Sequence, residues 1–518
     1  MQKIILLDLS KNYKIERFGS TYINLSNGSI NLINCKKHPI KINLNYKSTK
    51  HYKDYLSFFK EKLKFINKLK LNFCANEIEY FNIRHDKIQF FNKLYFLSKI
   101  YSEINFRKID LEIISDDENM EDAYKSLHSG KIYINLLSKK KKKNLFFYFI
   151  TRRIWFNCRA CIYTLLIKIF LRNNFKTNKN LCLSLFPNFY NKNNKEVFFQ
   201  KIKKKSYLNF LITDETHLNN NVNSIFSSLK ILRNKNLITP EKKIKFYDLC
   251  KNFFNILKEL GPSRAIIKKN FYFKKIDFTY PIQNLLVKSY LNRLKLKIYD
   301  KPLVEIIKNS RNFHLYLFEY SFGFYIINLT KNNCKNTNLT GYQHGIFNKN
   351  LMWLDNQNCH ILKYYPNTIV SSAYSSTHYK FFYRKSKISI RRGKSNFLLN
   401  LKKKINKKHK NKNLVLLGLH DFKDMLLCLS RYSKKNPQII FYIKKHPKIR
   451  VNNDLFISNK NFIFINKMSN ISYSKVILSE TSSLTQDFSS NKIPFSIFGI
   501  PYKIPILNHE YSKSIIRV

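Results

Sequence analysis

The chain has 518 residues, 44% of them hydrophobic and 15% aromatic, a composition that excludes a disordered polymer and predicts two or three packed domains. Its 94 lysines and arginines outnumber 32 aspartates and glutamates, which leaves a formal charge of +62 and a general attraction to polyanions. The lysines are spread along the whole length beside an excess of Asn, Ile, Phe and Tyr, as expected of an A/T-rich coding sequence, and no stripe or motif marks a specific nucleic-acid module.

Nine cysteines, odd in number and scattered, form no disulfide framework and fit a reducing, cytoplasmic setting. Cys158 and Cys161 make a single CxxC without a second pair or a histidine cluster. They read as two buried thiols one helical turn apart rather than as a zinc site, and no metal is expected.

In chain order, "KIILLDL" reads as a first buried strand; the apolar run is too short for a signal-peptide core and no small-residue cleavage site follows it. A helical pattern occupies 55–71, and "LEIISD" is a second strand. The acids of "SDDEN" at 115–119 fit either a catalytic loop or a solvated strand-to-helix turn, of which the turn is the commoner. Residues 144–172 form the most apolar stretch, but Arg152, Arg153, Arg159 and Lys168 interrupt it, so no uncharged span reaches the ~18–20 residues needed to cross a bilayer. Such a helix packs in a core with snorkelling basic groups, the commoner outcome, or lies on an anionic membrane surface behind the lysines of 139–143.

From about residue 178 strands alternate with helices: "NLCLSLFPNFY", "YLNFLITDETH", a helix from Pro240 to a stop at Gly261 and Pro262, then "FHLYLFEYSFGFYIINL", "NLTGYQHGIF" and "NTIVSSAYSS". The polar and basic stretch 391–413 suits a linker. Beyond it "LVLLGLHD", "FKDMLLCLSRYSKKN" and "QIIFYIKKHP" make a strand–helix–strand unit, followed by the strands "NFIFIN", "KVILSE" and "PFSIFG" with a short helix in "SSLTQDFSSN". The expectation is an α/β protein in three parts: an N-terminal extension, 1–177; a Rossmann-like acceptor domain, 178–395; and a Rossmann-like nucleotide-donor domain, 396–518. Ligands of open parallel sheets bind outside the carboxyl ends of strands, so motifs that follow strands are the candidates.

Three stretches qualify. "GYQHGIF" offers Gln343, a proton-exchanging His344 and Gly345, which lets a backbone approach a ligand. "KKHPK" offers Lys445 and His446 for phosphate oxygens, with Pro447 stiffening the exit. "SETSSLTQD" sets the hydroxyls of Ser482 and Ser483 beside free amides at a helix start, with Asp487 behind them. Each has a plainer account: KKHP also occurs at 36–39, and Ser482 with Asp487 suits a simple helix cap.

Taken in order, "YQHG", "KKHP" and "SSLTQDFSSNKIPFSIFG" resemble the bacterial surface-polysaccharide transferases of the GT-B type. That group includes capsule and lipopolysaccharide transferases, CDP-glycerol glycerophosphotransferases, several sialyltransferases and the surface carbohydrate biosynthesis proteins. The stretch from "LFEYSFGFY" to "YQHG", with Glu319, is most similar to the last of these. The resemblance implies two Rossmann-like domains facing a cleft. It also implies that His446 and Pro447 meet the donor nucleotide, next to the phosphate-binding Lys445, that Ser482 and Ser483 hold its phosphate, and that Asp487 lies near the donor ribose or sugar. His344, or an acid such as Glu319 or Asp421, would serve as base, with Gln343 and Gly345 lining the cleft.

The implied reaction is transfer of a sugar from a nucleotide-activated donor, CMP-linked among the candidates, to a cell-surface polysaccharide or lipid-linked glycan. It needs no cofactor beyond that donor and would run in the cytoplasm or at the inner face of the membrane. A CDP-glycerol-type polyol-phosphate transfer and a noncatalytic polyanion-binding or scaffold protein stand as alternatives.

Overall fold

The computed structural model describes residues 3–8, 21–24, 97, 110–127, 132–137, 142–171, 179–183, 199, 202–210, 237–273, 275–317, 321–343, 365–371, 376–377, 379–380, 383–390, 401, 403–406, 408–418, 422–445, 459–465, 471–479, 484, 488, 493–498 and 515–516. They form an α/β structure with three parallel sheets.

The first sheet has the order β2-β1-β3-β4, from β1 (Lys3–Asp8), β2 (Thr21–Asn24), β3 (Asp110–Ser115) and β4 (Ile132–Leu136). After β3 the "SDDEN" residues form a capped turn. The Ser115 hydroxyl accepts from the Asp117 N–H at 3.0 Å, and the Asp117 carboxylate accepts from the Asn119 N–H at 3.2 Å. These bonds satisfy the amides that open the helical turn leading into α1 (Glu121–Lys125).

The second sheet collects β5 (Asn180–Leu183), β6 (Lys205–Leu208), β7 (Leu237–Ile238), β10 (Asn312–Leu317), β11 (Asn338–Gln343), β12 (Thr368–Ser371) and β13 (Lys387–Ile390). A small antiparallel hairpin, β8 (Tyr272–Phe273) with β9 (Ile276–Asp277), stands apart. The sheet order is β7-β6-β5-β10-β11-β12-β13. Counted from its own first strand this is 3-2-1-4-5-6-7, the doubly wound order with a switch point between β5 and β10.

The third sheet repeats that plan with β14 (Lys412–Leu416), β15 (Ile440–Lys444), β16 (Phe462–Ile465), β17 (Lys475–Ser479), β18 (Phe495–Phe498) and β19 (Ile515–Ile516). Its order, β16-β15-β14-β17-β18-β19, is 3-2-1-4-5-6. The apolar run "LVLL" of β14 is buried throughout because a central parallel strand is covered on both faces. Val415, Leu417, Phe441, Ile443 and Ile477 pack under Met425, Leu426 and Leu429 of a helix spanning Phe422–Lys435. The alternate residues Leu414, Leu416, Val476 and Leu478 pack on the other face with Leu401, Tyr473, Phe488 and Ile493. This period-2 division is what a two-sided strand requires.

A separate, continuous core runs from Leu6 to Tyr383. It includes α2 (Leu145–Phe170), α3 (Phe246–Lys268) and α4 (Thr279–Lys297), which pack on one another. Asn144 caps α2 by accepting from the Phe146 and Phe147 amides, both at 3.1 Å.

Two expectations change. The helix after Pro240 begins at Phe246, Pro240–Lys243 being a 3-10 turn, and α3 runs through Gly261 and Pro262 to Lys268. Beyond the proline Ser263 and Ile266 are buried, and the Ser263 hydroxyl donates to the Leu260 carbonyl at 2.8 Å, so packing carries the helix past its weak point. The described part of 391–413 is not a free bridge. Leu401 is buried in the third-sheet core, its carbonyl accepts from the Tyr473 hydroxyl at 3.1 Å, and β14 already begins at Lys412. The helix expected over 55–71 lies outside the described residues.

Candidate functional site

Of the sequence-derived site residues, Gln343 and Lys445 are described. His344, Gly345, Glu319, Asp421, His446, Pro447, Ser482, Ser483 and Asp487 lie outside the described residues. The strands that lead into them are described, and their register fixes where each motif departs from its sheet.

In the third sheet Lys444 of β15 and Leu478 of β17 both pair with Leu416 of β14, one on each side. The Leu417 N–H donates to the Lys444 carbonyl at 3.1 Å, which extends the ladder by one residue. Lys445, Leu417 and Ser479 therefore follow at the carboxyl lip of three adjacent parallel strands. With neighbouring strands ~4.8 Å apart, β15 and β17 stand about 10 Å apart across β14. KKHP continues from the first of these strands and SETSS from the last, on either side of the strand at the switch point.

Lys445 is half-buried, and its ammonium sits 5.0 Å from the centroid of the Phe464 ring on β16, a contact that holds a positive charge at this lip. Within "SETSSLTQDF", Leu484 and Phe488 are helical, one turn apart. Phe488 is fully buried against Phe495, with ring centroids 5.9 Å apart. Leu484 and Phe488 thus pack back onto the sheet.

In the second sheet Leu317 pairs with Gln343, so β10 and β11 end level with one another. In the sequence Glu319 follows two residues after the first and His344 one residue after the second; β10 itself borders the switch point with β5.

Beneath this edge lies a cluster that the sequence reading did not single out. Phe199 packs against Tyr316 and Tyr342 at centroid distances of 4.9 and 5.2 Å, and the Tyr342 hydroxyl lies 3.4 Å from His314 Nδ1. Burial lowers the His314 pKa to about 4, so the ring is neutral near pH 7, and burial raises the Tyr342 pKa, so the phenol keeps its proton. The phenol then donates to Nδ1, which leaves the ring proton on Nε2. The signal for this cluster was the alternation of His and Tyr in "NFHLYL", which places both on one face of β10.

Cys158, Cys161 and Cys250 are free thiols. Among the described residues no group of three or more His, Cys, Asp or Glu is arranged to hold a metal. Among the described residues, too, no helix is long and apolar enough to cross a membrane. No family model, no curated protein and no solved structure matches the chain.

Proposed function

We propose that the chain is a glycosyltransferase of the GT-B type that moves a sugar from a nucleotide-activated donor to a surface polysaccharide or lipid-linked acceptor. The observation that carries this reading is the shared carboxyl edge of β15, β14 and β17 at a switch point, with KKHP and SETSS continuing from its two outer strands. Parallel sheets of this order bind nucleotides at that edge, where strand-end loops and helix starts supply donors for phosphate. In this reading Lys445, His446 and the Ser482/Ser483 amides and hydroxyls offset the charge that develops on the leaving phosphate. His344, on the edge of the second sheet, takes the proton of the acceptor hydroxyl, with Glu319 or Asp421 as the competing base. The facing of the two sheets across a cleft belongs to the same proposal.

The experiment that tests it measures the protein's melting temperature with CMP, CDP, UDP and GDP in turn. Protection by one of them, lost in His446→Ala and in Ser482→Ala variants that melt normally without ligand, is the expected result. Protection by none of the four would sink the donor site. Steeply salt-dependent binding of any nucleic acid with no nucleotide-specific protection would favour the noncatalytic polyanion-binding reading.

A further inference from the structure

Helix α2 is apolar on two sides. One side, with Phe149, Phe156, Ala160 and Ile167, is buried in the core. The other presents Phe147, Ile154, Ile162, Leu165 and Ile169 to solvent, each at least 43% exposed, at spacings of 7, 8, 3 and 4 residues that keep them on one face. Trp155, 61% exposed, flanks this stripe.

Helix α3 adds Phe246, Tyr247, Phe254 and Leu257, each at least 58% exposed. The two helices run antiparallel. Arg153 meets Glu259, Asn157 meets Asn252, and Phe146 lies under Arg264 with 4.8 Å between guanidinium and ring centroid. The two stripes lie on helices that pack side by side, and thiols of both come near one another: burial raises the Cys161 pKa, and Cys158 of α2 and Cys250 of α3 raise it further. Apolar side chains left exposed together on neighbouring helices mark an interaction surface.

Among the described residues of the two helices, the exposed charges have one sign. Arg152 and Lys168 on α2, and Lys251, Lys258 and Arg264 on α3, are all exposed. Helix α2 contains no acid. Both acids of α3 are engaged, Asp248 with Lys301 at 3.1 Å and Glu259 with the buried Arg153. An aromatic and aliphatic surface whose exposed charges, among the described residues of α2 and α3, are all cationic matches the interface of an anionic bilayer, where apolar groups enter the acyl boundary and lysines and arginines meet headgroup phosphates.

We propose that the exposed face of α2 and α3 docks this protein on an anionic lipid surface, as a peripheral contact that is independent of the transferase reading. The test uses the full chain in flotation with phosphatidylglycerol/phosphatidylcholine vesicles and with pure phosphatidylcholine vesicles. Binding to the anionic vesicles should fall roughly tenfold in a Phe254→Ser/Leu257→Ser variant and in an Ile162→Ser/Leu165→Ser variant, whose melting stays unchanged because the replaced side chains are exposed. In a Trp353→Phe background Trp155 is the remaining tryptophan, and its emission should move to the blue on binding. Failure to float with anionic vesicles overturns the proposal. So does binding that is undiminished in both serine variants, since adsorption by net charge alone would then suffice. Self-association in sedimentation that disappears in those variants, without vesicle binding, would make a second copy of the chain the occupant and overturn it as well.

Discussion

Arg153 is fully buried, and every described contact of its guanidinium is polar. Its Nε and Nη2 donate to the two Glu259 carboxylate oxygens at 2.8 and 3.1 Å, Nη1 to Asn157 at 2.8 Å, and Nη2 also to Asn252 at 3.1 Å. The sequence reading treated it as one of several basic residues snorkelling from an apolar helix. Two of its three partners, Asn252 and Glu259, stand about a hundred residues away, and nothing in "FITRRIWF" separates it from Arg152, which is exposed. Removing one member of such a pair strands the other charge. Arg153→Met is therefore expected to cost about 3–5 kcal/mol in denaturant unfolding, and Arg153→Met with Glu259→Leu to recover most of it.

His314 carries the corresponding prediction for pH. Its pKa falls from 6.5 to about 4 in the fold through burial, so the unfolded chain takes up the proton first as the solution is acidified. The stabilisation is complete above pH 6.5 and is lost as pH falls towards 4, a difference on the order of 3 kcal/mol at most. Unfolding curves from about pH 7 to about pH 4.5 should show a shallower loss in His314→Phe, which cannot titrate, than in the parent. An equal slope in the two proteins would place the acid sensitivity elsewhere.

At the scale of elements, α2 shows why periodicity alone misjudges some helices. Apolar residues on opposite sides cancel in any amphipathic pattern, so the sequence announced a helix but not which face met the core. The structure separates them, and the separation has energetic content. Phe156→Ala, which empties a fully buried site beside Arg159 and Lys295, is expected to cost about 3–5 kcal/mol, whereas Ile162→Ser should shift stability by no more than about 0.5 kcal/mol. Thermal or denaturant unfolding of the two variants side by side checks the assignment of faces. The helix stop expected at Gly261 and Pro262 failed for the opposite reason. The local signal there was strong, but the buried Ser263 and Ile266 beyond it had contacts to gain by remaining helical.

At the scale of the molecule, the strands were largely legible, because buried parallel strands appear as short apolar runs such as "LVLL", "IIFYI" and "KVIL". Which strand lies beside which was not. Nothing in those runs encodes that β14 sits between β15 and β17, and that adjacency brings the KKHP and SETSS strands to one lip. The strand ends that the motifs follow were legible too, Gln343 closing β11 and Lys445 following β15. The His314–Tyr342 cluster beneath the edge was hidden, because a lone histidine within an apolar strand looks like any other core residue. The stretch 391–413 misled through composition: lysine and asparagine dominate it, yet Leu401 and Ile405 anchor it to a core.

The position of β14 also bears on how the chain is made. Synthesis delivers β14 about sixty residues before β17, so for an interval the hydrogen-bonding edge of β14 that will pair with Val476, Ile477 and Leu478 is bare. That edge belongs to a strand buried on both faces in the finished sheet, and an unpaired strand of this kind invites pairing with a neighbouring nascent chain. The strand that completes the lip, Lys475–Ser479, is therefore also the one that closes this opening, so the lip and the protection of the core arrive together.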